Sequence, residues 1–188
     1  MAGKLIRRFV SALAMTIMAA PVAAQQWVVG AGWSDYSYAR ADDSIIGTFE
    51  YHAAPFYVGA NAEAGWALSG EVTGAGDGFV GGGAYLTYDL GPAWFLEASV
   101  MPGAFFEKPP VNDLGSTFEI RSLLGLGYRF GNGSALSLAV SHKSNASTSN
   151  FNPGANSIFL RWHWGCRAVR RRAGLISPST LGTSDGKQ

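Results

Sequence analysis

The residue pattern of this chain predicts an all-β fold, an eight-stranded antiparallel β-barrel of the outer-membrane type. Three observations predict it. Charged residues make up only 14% of the 188-residue chain while aromatics make up 13%, alongside 25 glycines; soluble globular proteins carry charge on roughly a quarter of their residues. No stretch beyond the N-terminal leader holds the roughly 18 or more consecutive apolar residues of a membrane-spanning helix. Segments of period-two alternation run along the chain instead, with apolar residues on one face and charges on the other.

The N-terminus, residues 1–24, reads as a secretory signal peptide. Lys4, Arg7 and Arg8 make a basic start, Phe9 to Ala20 is an apolar run too short to span a bilayer, and Pro21-Val22-Ala23-Ala24 supplies small residues for cleavage before Gln25. The barrel is expected over residues 25–164, with strands near 27–38, 44–52, 56–68, 79–89, 93–105, 117–130, 135–145 and 156–164. The connections after the second, fourth and sixth strands read as tight: Ala53-Ala54-Pro55, Leu90-Gly91-Pro92 and Gly131-Asn132-Gly133. Those after the odd-numbered strands read as longer, among them Ser69 to Gly78, Phe106 to Ser116 and Ala146 to Ala155. Short turns at one end and longer loops at the other are the pattern of bacterial outer-membrane barrels, and an even strand count lets the sheet close and lose its edges.

Parity within the strands is the second test. The sixth strand puts Phe118, Ile120, Leu124, Leu126, Tyr128 and Phe130 on one face and Glu119, Arg121 and Arg129 on the other. The eighth puts Ile158, Leu160, Trp162 and Trp164 against Arg161 and His163, and the third puts Val58, Ala60, Ala62, Ala64 and Trp66 against Asn61 and Glu63. The second and fifth place Glu50 and Glu97 opposite apolar faces. A barrel of eight strands is filled by side chains, so Glu50, Glu63, Glu97, Glu119, Arg121, Arg129 and Arg161 are expected inside, paired with one another. A soluble lipocalin-like barrel needs the opposite parity. Trp162, Trp164, Tyr128 and Phe130 fall at strand ends, as aromatic girdles do.

Beyond the barrel, residues 165–188 change character. A basic run from Arg167 to Arg172 is followed by a Gly/Ser/Thr/Pro-rich end, the composition of a disordered, solvated extension. Cys166 is the single cysteine, so no internal disulfide framework exists. His52, His142 and His163 are widely spaced and form no metal-ligand cluster. A net charge of +1 points away from nucleic acid as a partner.

One strand carries candidate chemistry. Leu136, Leu138 and Val140 form an apolar stripe whose face continues into His142 and Ser144. Polar groups on a lipid-facing surface cost free energy and call for a reason. A serine hydroxyl is a weak nucleophile that needs a neighbouring base, and a histidine two residues away on the same face can be one. Asn156 opens the next strand with the parity of Ile158 and Leu160, so three polar residues converge at one rim. Asn156 can orient an imidazole but carries no charge.

These residues resemble a known family. His142-Lys143-Ser144-Asn145-Ala146, followed by Asn152-Pro153-Gly154-Ala155-Asn156, looks like the signature of the lipid A 3-O-deacylases, the PagL family. The resemblance implies an eight-stranded outer-membrane barrel that hydrolyses the ester-linked acyl chain at position 3 of lipid A, without metal or cofactor. It implies Ser144 as nucleophile, His142 as base and Asn145 in the oxyanion region, with lipopolysaccharide as substrate in the outer leaflet. The chain departs from the family at Asn156, which takes the place of the acidic third member. The nearest acids in sequence, Asp113 and Glu107, lie in the preceding outer loop. Two other readings stand beside the esterase: a structural or adhesive barrel with a decayed triad, and a barrel acyltransferase using the same nucleophile.

Overall fold

The structure is a computed structural model that describes residues 25–165. The signal peptide read over 1–24 and the extension beyond Gly165 lie outside the described residues. Eight long strands are present: β1 (Gln26–Tyr36), β2 (Ser44–His52), β4 (Ala62–Thr73), β5 (Gly78–Asp89), β6 (Trp94–Phe106), β7 (Phe118–Arg129), β8 (Ala135–Ser144) and β9 (Ala155–Trp164). A two-residue strand, β3 (Tyr57–Val58), lies on the flank of β4. The long strands form one antiparallel sheet in the order β2-β1-β9-β8-β7-β6-β5-β4, and the β2–β4 ladder closes it into a barrel.

Closure sets the first strand beside the last. β1 pairs with β9 from Trp27 opposite Trp164 to Tyr36 opposite Ala155. The approach is close enough at Gly32 that an added Cβ would fall 1.7 Å from the carbonyl oxygen of Ile158. Only a residue without a side chain fits there.

The expected third strand needs correction. Its residues 56–68 are not one strand: Gly59 N–H donates to Ala62 O at 2.7 Å and turns Tyr57–Val58 back onto Glu63–Ala64. The strand proper then runs on to Thr73, so the connection to β5 is the short turn 74–77 and not a loop from Ser69 to Gly78. The tight turn expected at Ala53-Ala54-Pro55 is in fact the longer excursion 53–61. The physical reason is the barrel interior. Ser69, Glu71 and Thr73 face inward and are buried, while Leu68 and Val72 face out. A strand whose inner face is polar and whose outer face includes Gly70 has the composition of a loop. Asp77, fully buried, ties the turn: it accepts from Thr73 Oγ1 at 3.1 Å, Tyr36 OH at 2.6 Å, Asn112 Nδ2 at 2.7 Å and the Lys108 N–H at 2.9 Å.

The interior is ionic at its centre. Arg121 bridges Glu50 at 2.8 Å and Glu71 at 2.6 Å, and Lys143 Nζ donates to Glu71 at 2.5 Å. Arg161 bridges Glu50 at 2.6 Å and Glu97 at 2.9 Å. Such ions are tolerated inside because each is paired. Of the residues expected in this network, Glu50, Glu97, Arg121 and Arg161 take part. Arg129 pairs instead with the half-exposed Asp89 at one rim, at 2.6 Å. Glu119 is buried, and its carboxylate makes no hydrogen bond among the described residues. Glu71 and Lys143 complete the network from β4 and β8. An apolar plug of Tyr36, Phe79, Phe105, Leu114 and Ala155 caps it toward the rim where β1 and β8 end.

The outer wall is apolar. Phe49, Trp66, Leu68, Val100, Leu124, Leu138 and Leu160 all point outward and are exposed. At the rim where β1 begins, Trp94, Tyr128, Phe130 and Trp162 pack in series with ring centroids 5.2, 5.5 and 5.7 Å apart, the first two contacts edge-to-face and the third stacked. Tyr128, Phe130 and Trp162 of the expected girdle stand in this series, which Trp94 joins, while Trp164 is exposed at the same rim outside it.

Candidate active site

The site lies at the opposite rim, on the outer wall where β8, β9 and β1 meet. In β8, alternate residues Leu138, Val140 and His142 are exposed while Ala139, Ser141 and Lys143 are buried. Lys143 points into the barrel, held by Glu71, and this anchors the strand so that its neighbours His142 and Ser144 face outward. Ser144 is the last residue of the strand and is half-buried.

Register brings Asn156 to His142. The two are direct partners in the β8–β9 ladder, and His142 Nδ1 lies 2.9 Å from Asn156 Oδ1. An amide oxygen only accepts, so Nδ1–H is the donor in this contact, and in the neutral imidazole that leaves the lone pair on Nε2. The other end of the amide is also engaged, with Asn156 Nδ2 donating to Ser37 Oγ at 3.1 Å. The Asn156 amide is thus held at both ends, between His142 and Ser37. No hydrogen bond joins the Ser144 hydroxyl to His142, whose side-chain bond goes to Asn156.

The loop after β8 shapes the other side of the imidazole. Gly154 has a φ of +73°, and an added Cβ would lie 2.9 Å from His142 Cε1 and 3.5 Å from Nε2. Ala146 and Ser147 turn the chain immediately after the strand with positive φ values of 53° and 61°. Asn145, expected in the oxyanion region, is fully buried. Its Nδ2 donates to Leu114 O at 3.1 Å and Phe151 O at 2.9 Å, and its backbone N–H donates to Asn152 Oδ1 at 3.1 Å. These bonds tie the 107–117 and 145–154 loops together beside Ser144.

A groove of about 640 Å³ runs along the wall next to His142. Trp33, Leu124, Val140 and Ile158 form its apolar sides, and Ser122, partner of His142 in the β7–β8 ladder, leaves room on its floor. Asp35 and Asn156 stand at its polar end with His142. Asp35, Ser37 and Trp33 escaped the reading of the sequence, and Gly154 was read only as part of the signature. A signal for Asp35 was present: Trp27, Ala31 and Trp33 make an exposed stripe on β1 that ends in an acid, as the β8 stripe ends in a histidine. Asp113 and Glu107, the acids nearest in sequence, do not line the groove.

A closed antiparallel barrel with an apolar outer wall, a charged and filled interior and a polar constellation at one rim defines an outer-membrane barrel protein with a candidate site on its lipid-facing surface. Residues 21–165 match the sequence profile of lipid A 3-O-deacylase (PagL), and the chain belongs to that family. The fold agrees. The crystal structure of the outer membrane enzyme PagL superposes with a TM-score of 0.59 at 19% identity, covering 74% of this chain and 98% of that one. Neisserial surface protein A (NspA) superposes with a TM-score of 0.52 at 9% identity, over 76% of this chain and 97% of that one. At these identities the two structures speak to the fold. No curated protein matches the chain in sequence.

Proposed function

We propose that the chain is an outer-membrane esterase that removes the ester-linked hydroxyacyl chain at position 3 of lipid A, with Ser144 as nucleophile and His142 as general base. The observation that carries this reading is the bond from His142 Nδ1–H to Asn156 Oδ1. It holds the imidazole in the tautomer whose free Nε2 can take a proton from a hydroxyl on the same strand face.

The steps follow from that geometry. The apolar groove takes an acyl chain, laying its ester beside His142 and Ser144. Ser144 Oγ attacks the carbonyl carbon as His142 Nε2 accepts its proton, giving a tetrahedral oxyanion. Collapse expels the sugar hydroxyl, which takes the proton back from His142, and leaves an acyl-serine. Water, deprotonated by His142, attacks the acyl-serine and releases the hydroxy fatty acid. The site rim faces the outer leaflet in this reading, where lipid A lies.

Asn156, neutral where the family has an acid, favours one other reading: a barrel that keeps the scaffold without the activity. Lipid A mass spectrometry separates them. Expression of the wild-type chain should remove one 3-linked hydroxyacyl group, and the Ser144→Ala variant should remove none. Unchanged lipid A in both would leave the non-catalytic reading, and a mass gain would mean acyl transfer.

A further inference from the structure

The closed barrel places one acid where the sequence order hides it. Asp35 is the direct partner of Asn156 in the β1–β9 ladder, as Asn156 is the direct partner of His142 in the β8–β9 ladder. The three residues therefore form a row across β8, β9 and β1, and all three are exposed on the outer wall. Asp35 and His142 are the two ionisable side chains among the residues lining the groove.

We propose that the third catalytic role is divided in this chain: Asn156 orients His142, and Asp35, one strand further on, supplies the negative charge that balances the imidazolium. This deepens the esterase reading and rests on His142 as its base. Asp35 acts through space and touches no reacting atom, so it is a positioning residue.

Asp35 is the one acid among the residues lining the groove. β7 presents Ser122 and Leu124 to the groove, β8 presents Val140, and β9 presents Ile158. Lys143, Arg121, Glu71 and Glu119 lie buried inside the barrel wall. In the 37–43 loop Arg40 and Asp42 are exposed, and Asp43 is occupied as acceptor of the Tyr36 N–H at 3.0 Å. Glu107, Lys108 and Asp113 belong to the neighbouring outer loop. Neighbouring strands are spaced by about 4.8 Å, so two ladders separate Asp35 from His142 by about 10 Å along the sheet. Across that distance, at a surface walled on one side by apolar side chains, a unit charge shifts a neighbour's pKa by about 0.3–1 unit.

The experiment follows the His142 imidazole by NMR titration in detergent micelles, its signal assigned by its loss in His142→Gln. Asp35→Asn should lower the His142 pKa by about 0.3–1 unit, because removing a nearby negative charge disfavours the imidazolium. Asp35→Glu, which keeps the charge, should restore it. His52 and His163, inside the barrel, should not move. In the deacylation assay Asp35→Asn should lower kcat about two- to tenfold with KM little changed. The acid limb of its pH profile should shift to lower pH by the same interval as the His142 pKa. An unmoved His142 pKa in Asp35→Asn overturns the proposal, as does an equal loss in the Asn and Glu variants. A wild-type chain that fails to deacylate lipid A overturns the esterase reading and with it the catalytic role of Asp35, whereas an unmoved titration in an active enzyme overturns the role of Asp35 only.

Discussion

The inside of the barrel and the polar rim on its outside use the same residue types to opposite ends. Inside, Glu50, Glu71 and Glu97 are each met by Arg121, Arg161 or Lys143 within 3 Å, and the charges cancel among themselves. Outside, His142, Asn156 and Asp35 make a single row, joined by the 2.9 Å bond at His142, and leave His142 Nε2 and the Ser144 hydroxyl open. The difference teaches how to sort polar residues in a membrane barrel. Those neutralised by several partners hold the wall in shape, because a buried ion is stable only when paired. Those strung in a line toward an open lone pair on the lipid side have a reason other than stability.

Substitutions should break along that division. The largest effect is expected outside: Ser144→Ala or His142→Ala should lower lipid A deacylation by several powers of ten. The barrel should stay folded, as read by β-type circular dichroism and heat-modifiable gel mobility. Wild-type release of 3-hydroxy fatty acid by Ser144→Ala would end the assignment. Inside, Arg121→Met should do the reverse. It strips Glu50 and Glu71 of a shared partner and should cost about 3–5 kcal/mol in urea unfolding from micelles. Activity per folded molecule should stay within about twofold, since Arg121 lies across the wall from the groove.

The rim itself can be sharpened. Asn156→Glu should raise kcat, because a carboxylate both accepts the Nδ1–H and stabilises the imidazolium. Exchange of a triad acid for an amide elsewhere costs about ten-thousandfold. With Asp35 already nearby, a gain of about tenfold is expected, largest at neutral pH and above and absent in a Ser144→Ala background. Initial rates at matched folded fraction decide it; an unchanged rate in a folded protein would remove Asn156 from the orienting role. The smallest effect belongs to Gly154→Ala. Its Cβ would crowd His142 at 2.9 Å and adopt a φ of +73°, a conformation that costs an L-residue about 1–2 kcal/mol. A several-fold fall in kcat with little change in KM is expected, and a normal kcat would show that the imidazole does not depend on this packing.

Parts of this were legible in residue order and parts were not. Strands whose two faces differ sharply were clear: β7 alternates Leu124, Leu126 and Tyr128 with Arg121 and Arg129, and its parity matches the structure. The signature from His142 to Asn156 was clear for a related reason, since both ends sit on one hairpin and need only the β8–β9 register to meet. The path of β4 was obscured because Ser69, Gly70 and Thr73 carry the composition of a turn, and only burial within a polar interior shows them as strand. Lys143 alternates with His142 and Ser144 and so falls on the inner face, but its partner Glu71 was hidden in what looked like a loop.

Residue order alone carried the barrel class, the inverted parity of its wall and the histidine–serine pair, because each is a local pattern with a period of two. Closure decided the rest. Asp35 stands 107 residues before His142 in the chain, yet one strand beyond Asn156 in the sheet. No local pattern can place the first strand beside the last; that neighbourhood exists because the sheet must satisfy the backbone hydrogen bonds of both its edges, and it does so by joining them.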